Sequence, residues 1–454
     1  MKKQARRFSF SATQIIMLSF LVTIAVGSIL LSLPFSAADG KRINYLDALF
    51  TATSATCVTG LLTMPAFSVW STFGQIVILL LIQIGGLGAI TVMSGFMIML
   101  SKKFGLKNRL LLQDVFNLNS LKGIISFTRK SIAGTFIIEG AGALACMTVF
   151  VPEFGLRGVW VSVFHSVSAF CNAGIDIISD TSLEQYAANP VINIVTCLLI
   201  ILGGIGFLVW WDVIGAIKNV KDHKSKTFSY LSLHSKIALS MTALLIFAGA
   251  LAFFVFEYGN PSTIGGRPLY EKIEISLFQS VTTRTAGFAT VSQKSLTNSS
   301  AIFSLLLMFI GGSPVGTAGG VKTVTVFILA AALHSSIKNR REVNCFGRNI
   351  SREAVGKAVA VVGMSFMIMF ISTLALSEVT NADALDILYE TVSATATVGL
   401  SRSLTPALGV AGKIIIIATM FFGRIGPISL ATAFQTKKES ANIVKNPTEQ
   451  ISVG

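Results

Sequence analysis

The sequence predicts an all-α polytopic membrane protein whose eight transmembrane spans form four helix–loop–helix repeats. Three observations carry that prediction. Hydrophobic residues fill 52% of the 454 positions and charged residues only 13%, against a usual charged share of about 25% in soluble domains. Basic residues collect in alternate connecting segments. A polar, Gly-ended motif recurs four times at a nearly constant spacing.

The composition excludes several classes. With a mean hydropathy of +0.73, there are too many apolar residues for one soluble core and too few charges to coat it. Five Cys without a C-x-x-C or a Cys/His cluster give neither a zinc site nor a redox pair. The net charge of +15 would suit a nucleic-acid partner, but the placement of the charges points to topology instead.

A helical span needs about 20 mostly apolar residues. Eight stretches qualify: 13–33, 71–100, 131–151, 190–211, 236–256, 300–333, 355–376 and 411–435. The first follows Lys2, Lys3, Arg6 and Arg7 and is longer than the apolar core of a signal peptide, so it reads as a span. The amino-terminal segment 1–12, the connections 102–130, 212–236 and 338–357, and the tail 436–454 carry 25 Lys/Arg against 7 Asp/Glu. The opposite side carries 9 against 13. An excess of Lys and Arg marks the cytoplasmic side. Both termini are therefore expected in the cytoplasm and the chain in the cell's inner membrane. Glu139, Lys322 and Arg424 stay inside spans.

The outward-facing segments read FTATSATCVTGL (50–61), FHSVSAFCNAGI (164–175), FQSVTTRTAGF (278–288) and YETVSATATVGL (389–400). Their glycines, Gly60, Gly174, Gly287 and Gly399, are 114, 113 and 112 residues apart. A second marker keeps step: IGGLG (84–88), LGGIG (202–206), IGGSP (310–314) and FGRIG (422–426). The repeats are thus 13–100, 131–211, 236–333 and 355–435. Two spans per repeat bring each repeat in with the same orientation, so four can surround an axis along the membrane normal.

Irregular backbone at membrane depth is tolerated only when buried in protein or lining water. A short helix followed by an extended strand satisfies that condition. Glycine opens backbone angles closed to other residues. Four such strands can replace the hydration shell of a potassium ion with carbonyl oxygens. Thr397-Val398-Gly399 matches the start of the T-V-G-Y-G potassium-channel filter.

TSATCVTGL, SAFCNAGID, TTRTAGF, SATATVGL and GGSPVGTAGGVKT together resemble the Trk/Ktr/HKT potassium-transporter superfamily, along essentially the whole chain. Eight spans without an extra amino-terminal pair resemble its KtrB-type membrane subunits more than its TrkH-type ones. The resemblance implies potassium uptake through four M1–P–M2 repeats around one pore per subunit. It also implies a homodimer in the lipid bilayer and a cytosolic RCK-type, KtrA-like ring that carries any nucleotide. No P-loop or Rossmann fingerprint stands in this chain, which is expected to be neither an enzyme nor a cofactor binder.

Gly60, Gly174, Gly287 and Gly399 carry over as the filter glycines. Gly60 stands where some plant members have Ser, which by resemblance favours potassium over sodium. Val58, Thr59, Asn172, Ala173, Thr285, Ala286, Thr397 and Val398 are expected to supply further carbonyls.

The sixth span is interrupted by Gly311, Gly312, Ser313, Pro314, Val315, Gly316, Thr317, Ala318, Gly319 and Gly320. Five glycines and a proline cannot hold a helix, so a flexible gate beneath the filter is expected, as in the family. Arg424 occupies the repeat position of Gly86 and Gly204 and would raise a cation barrier near an axis. Arg284 is expected to tie down the filter's rear, beside Glu139 or apart from it. Lys322 either holds the gate loop or reaches the cytoplasm. Asp176, Asp180 and Glu184 either concentrate cations or form a solvated loop. The rival functions are a potassium symporter coupled to sodium or protons and a nontransporting assembly subunit.

Overall fold

The computed structural model describes residues 12–88, 91, 123–218, 227–340 and 342–426. Expectations for the amino-terminal segment before residue 12, for 89–90 and 92–122, for 219–226, for 341 and for the chain after 426, including the tail 436–454, lie outside the described residues.

Four long helices, Ala12–Leu31, Ile124–Phe154, Leu233–Glu257 and Arg352–Val379, are apolar enough to cross a membrane. At 1.5 Å per residue even the shortest spans about 30 Å, the thickness of a hydrocarbon core. Their low burial within the chain leaves apolar side chains such as Ile137, Phe247 and Ile371 facing outward, as a lipid-facing helix requires.

Each long helix is followed by a shorter one ending at a polar motif: Tyr45–Cys57, Leu156–Cys171, Leu269–Thr282 and Ala384–Ala396. These four loop helices are buried almost throughout their second halves. A third set, the central helices, comes next: Thr72–Leu87, Pro190–Gly204, Asn298–Phe309 and Val410–Ile425. Side-chain caps start three of them. Ser71 accepts from the Gly74 N–H, Asn189 from Val191 and Ile192, and Thr297 from Ser300.

The central helices correct the expected spans. The stretch 190–211 is not one helix: Pro190–Gly204 and Phe207–Lys218 meet at a 98° bend, with Gly206 at φ 94°. Thr72–Leu87 and Val410–Ile425 end likewise at Gly88 (φ 83°) and Gly426 (φ 85°). The stretch 300–333 divides into Asn298–Phe309 and Thr323–Ile337 around an irregular loop. A left-handed glycine ends a helix without the Cβ penalty other residues meet there. The final glycine of the second marker is thus a helix stop in three quarters of the molecule.

The packing closes a ring. Every long helix touches the loop helix and the central helix of its own quarter. Every central helix also packs on the loop helix of the next quarter, and Val410–Ile425 returns to Tyr45–Cys57. Polar pairs bolt the joints. Trp160 Nε1 donates to Gln75 Oε1 at 2.9 Å, Asn193 Nδ2 to Glu274 Oε1 at 2.8 Å, and Tyr389 Oη to Gln293 Oε1 at 3.0 Å. Lys413 Nζ meets Asp47 Oδ1 at 2.6 Å across the closing joint. On one side of the ring, β1 (Val343–Cys345) and β2 (Arg348–Ile350) form an antiparallel hairpin between the third and fourth quarters.

Candidate ion pathway

The loop helices deliver four similar strands to the ring's centre. Each passes through a left-handed residue, Val58 (φ 55°), Asn172 (φ 59°), Thr285 (φ 68°) or Thr397 (φ 52°). One residue of ordinary backbone follows: Thr59, Ala173, Ala286 or Val398. Then comes a glycine with positive φ: Gly60 (96°), Gly174 (63°), Gly287 (86°) or Gly399 (98°). A side chain would be strained at these glycines whatever the room.

There is also no room. A Cβ on Gly60 would fall 2.6 Å from the Ala173 carbonyl oxygen. On Gly174 it would meet the Ala286 oxygen, and on Gly287 the Val398 oxygen, both at 2.6 Å; on Gly399 it would overlap the Thr59 oxygen. The structure therefore brings all four glycines together. It seats the carbonyl before each one against the bare Cα of a neighbouring strand, in a closed cycle. Carbonyl oxygens and bare glycines of all four strands thus meet in one narrow centre.

Above this ring lies a cavity of about 440 Å³, bounded by the four glycines and by Asp176, Asp180 and Glu184. The three acidic residues thus belong to one basin. Outside the spanning helices, burial pushes the Asp176 carboxyl up to about 6 and that of Glu184 upward.

The first glycine of the second marker explains why the marker exists. A Cβ on Gly85, Gly203 or Gly423 would overlap the carbonyl of Thr56, Phe170 or Thr395 respectively. Each belongs to the end of a loop helix, so the central helices press on the strands' bases. The second position differs between quarters. Gly86 makes space for Cys171, Gly204 lies beside Asn172, and Arg424 alone projects a long side chain.

The segment 310–322 crosses beneath the ring and is tied down rather than loose. Gly311 N–H donates to Val321 O at 3.0 Å, Ser313 N–H to Gly204 O at 2.8 Å and Thr317 N–H to Gly203 O at 3.1 Å. Gly319 N–H reaches the Thr285 hydroxyl at 3.1 Å. Thr317 Oγ1 donates to Phe170 O at 2.9 Å. Gly312 packs on Ala318, Gly316 on the turn at Gly203–Gly206, and Gly320 on Gly311. The expected gate glycines are thus close-packing positions of a buttressed crossing segment, called the plug for its position beneath the ring.

Arg424 donates to Thr317 O at 2.7 Å and to Gly85 O at 2.6 Å. Its guanidinium joins the fourth quarter to the plug and to the first. Lys322 donates to Ala318 O at 2.6 Å and to Gly319 O at 3.3 Å, so it holds the plug. Cavities of about 310 and 240 Å³ flank the pair on either side. Arg284 is not beside Glu139. It donates to the Thr242 hydroxyl at 3.4 Å, whereas Glu139 accepts from Gln83 Nε2 at 3.4 Å and faces Cys171.

Sequence reasoning missed Glu390. This buried carboxylate accepts from Ser401 Oγ at 2.6 Å and from the Thr405 hydroxyl, clamping the chain beyond the fourth strand. Its signal was present: the column that holds Glu390 holds Thr51, His165 and Gln279 in the other quarters.

A ring of apolar helices around four converging strands, with a crossing segment below and an acidic cavity above, is the architecture of a membrane transport protein. Residues 2–446 match the family described as TrkH, cation transport protein, and the chain belongs to that family. It is 40% identical over 446 residues to the Ktr system potassium uptake protein B of Bacillus subtilis (strain 168), covering 98% of this chain and 97% of that one. It is 37% identical over 460 residues to the potassium/sodium uptake protein NtpJ of Enterococcus hirae, covering 100% and 99%. Its fold is similar to that of the potassium transporter TrkH from Vibrio parahaemolyticus, with a TM-score of 0.74 over 96% of this chain and 87% of that one, at 19% identity.

Proposed function

We propose that the chain takes up potassium selectively across the cell's inner membrane, through one pore on the axis of four M1–P–M2 repeats. In this reading the chain crosses the membrane eight times, with both termini in the cytoplasm. The four strands are the selectivity filter, the acidic basin gathers cations, and the plug with Arg424 is the gate. The observation that carries the reading is the closed cycle of carbonyls on bare glycines, because a partly dehydrated cation needs backbone oxygens in place of water. Potassium is favoured by the name of the Bacillus relative and by glycine, not serine, at Gly60, whereas the name of the Enterococcus relative includes sodium as well.

No reaction is assigned to the chain, which acts as a conduit. Regulation by nucleotide belongs on a separate cytosolic RCK-type subunit, and two copies of this chain form the membrane unit. The Ktr-system name of the Bacillus relative supports a multi-component system with a separate partner.

Tracer flux into liposomes holding only the purified chain tests the function. Uptake of potassium that outruns sodium is expected. Absence of flux, from protein shown to be inserted, would make the chain an assembly subunit. A reversal potential that moves with sodium or proton gradients would make it a symporter.

A further inference from the structure

Each loop helix carries one hydroxyl that bonds forward onto its own strand. Ser54, Ser168 and Ser393 stand six residues before their glycines and Thr282 five. All four are fully buried. Ser54 Oγ accepts from the Gly60 N–H at 3.0 Å, and Ser393 Oγ from the Gly399 N–H at 3.0 Å. Ser168 Oγ accepts from the Ile175 N–H at 3.2 Å and donates to Ile175 O at 2.5 Å. Thr282 Oγ1 donates to Phe288 O at 2.6 Å.

Other hydroxyls in these helices behave differently. Thr53, Thr283 and Thr391 bond back to carbonyls three or four residues earlier, the usual habit of a helical Ser or Thr. The hydroxyls of Thr51, Thr56 and Thr395 have no hydrogen-bond partner among the described residues. The forward bond therefore marks one column of the repeat, not the helices in general.

The geometry has a direct consequence for the carbonyls. A trans peptide is planar, so its N–H and C=O point in opposite directions. Fixing the Gly60 N–H back toward Ser54 turns the Thr59 carbonyl away from the helix, to where it lies against Gly399. Fixing the Gly399 N–H on Ser393 does the same for the Val398 carbonyl, which lies against Gly287. In the second and third quarters the hydroxyl instead holds the residue after the glycine, Ile175 or Phe288, and so acts one step further along the strand.

We propose that Ser54, Ser168, Thr282 and Ser393 are positioning residues that set the direction of the filter carbonyls and thereby discrimination among monovalent cations, with Ser54 and Ser393 acting on the ring at Thr59 and Val398 itself. The inference rests on the filter reading above.

The test measures potassium and sodium flux in liposomes for Ser54→Ala, Ser393→Ala, Thr282→Val and Thr282→Ser, with Gly60→Ser beside them. Loss of one hydrogen bond should lower the potassium-over-sodium ratio about three- to tenfold in Ser54→Ala and Ser393→Ala. Thr282→Val, which keeps the shape, should change the ratio less, and Thr282→Ser, which keeps the hydroxyl, should leave it near that of the unaltered chain. An unchanged ratio in both alanine variants overturns the inference while leaving the filter reading intact, provided Gly60→Ser does shift it. If Gly60→Ser also leaves the ratio unchanged, the filter reading itself fails. Alanine variants that do not assemble, or Thr282→Ser shifting the ratio as far as Thr282→Val, would make the hydroxyls packing elements and overturn the inference too.

Discussion

The glycine ring and the level beneath it are built on opposite principles. At the ring, four strands of different sequence, CVTG, CNAG, RTAG and ATVG, reach the same succession of backbone angles. One level down the quarters diverge: the equivalent position is glycine at 86, 204 and 312, the last within an irregular segment after Phe309, but arginine at 424. Backbone atoms make the upper contacts, so side chains there can vary as long as the glycine remains. The lower level adds side-chain tethers such as Arg424 to its backbone bonds, so a single residue can break the symmetry there. In the proposed reading, selectivity therefore belongs to the symmetric level and control to the asymmetric one.

The sharpest way to break that comparison is at the ring. Gly60→Ser places a Cβ on a residue at φ 96° and within 2.6 Å of the Ala173 carbonyl. The strand cannot yield without moving its neighbour. Potassium-over-sodium uptake in a transport-deficient host should fall at least about tenfold, equal to about 1.4 kcal/mol of lost discrimination. Gly287→Ala, at φ 86° against the Val398 carbonyl, should do the same. If one of the two is tolerated, the four strands do not share the task.

Arg424 tests the lower level. A guanidinium about 4–6 Å from a passing potassium ion repels it by about 1–4 kcal/mol at effective dielectrics of 20–80, or roughly one to three decades in rate. The structure adds a mechanical role, since the same group bonds Thr317 O and Gly85 O. Arg424→Ala removes charge and tether together and should raise tracer flux about tenfold or more without altering selectivity. Arg424→Lys separates the two roles. Lysine keeps the charge but lacks the planar fork that reaches two carbonyls at once. Flux near that of the unaltered chain would assign the barrier to charge; flux near that of the alanine variant would assign it to the tether.

These two levels were not equally legible in the sequence. The four glycines of the ring stood out because positive φ and a carbonyl on the Cα leave glycine no substitute, which writes the column into every repeat. Arg424 stood out because a lone charge in an apolar run is conspicuous. The helix stops at Gly88, Gly206 and Gly426 did not, because hydropathy runs on unbroken past them and a glycine in an apolar stretch does not announce a 98° turn. The buttressing of 310–322 was hidden too. Three of its partners, Phe170, Gly203 and Gly204, lie in the second quarter, and the backbone bonds among these contacts leave no mark on side-chain identity. The Asp47–Lys413 pair joins residues 366 apart in the chain, beyond the reach of any local pattern.

That pair tests whether the ring depends on its closing joint. It is partly buried, at 12% and 17% side-chain exposure, and two charged ends bridge the fourth quarter to the first. Removing one partner leaves the other charge in a poorly solvated place, which costs up to about 3–5 kcal/mol in fully buried pairs and less here. Asp47→Asn and Lys413→Met should each lower the detergent-unfolding midpoint, and the double variant should recover part of the loss. Selectivity should stay unchanged in whatever protein remains folded. A joint loss equal to the sum of the single losses would show that the two residues do not act as a pair.

The smallest effect should come from Lys322, and its size relative to Arg424 is informative. Both side chains donate to carbonyls of the same segment, but their reach differs. Arg424 connects the plug to two other quarters, whereas both oxygens bound by Lys322, on Ala318 and Gly319, lie within four residues of it. Removing Lys322 therefore loosens the plug's shape without cutting its attachment, which also rests on the bonds to Gly203, Gly204, Phe170 and Thr285. Lys322→Met retains much of the apolar stem and should raise potassium flux only about two- to fivefold, the effect of roughly one hydrogen bond. Combined with Arg424→Ala, it should add little, because a plug already released at Thr317 gains nothing more from internal slack. Tracer uptake velocities for the two single variants and the double variant supply the measurement. If Lys322→Met matches or exceeds Arg424→Ala, the control level depends on the plug's internal shape, and the cross-quarter tether loses its place as the main restraint.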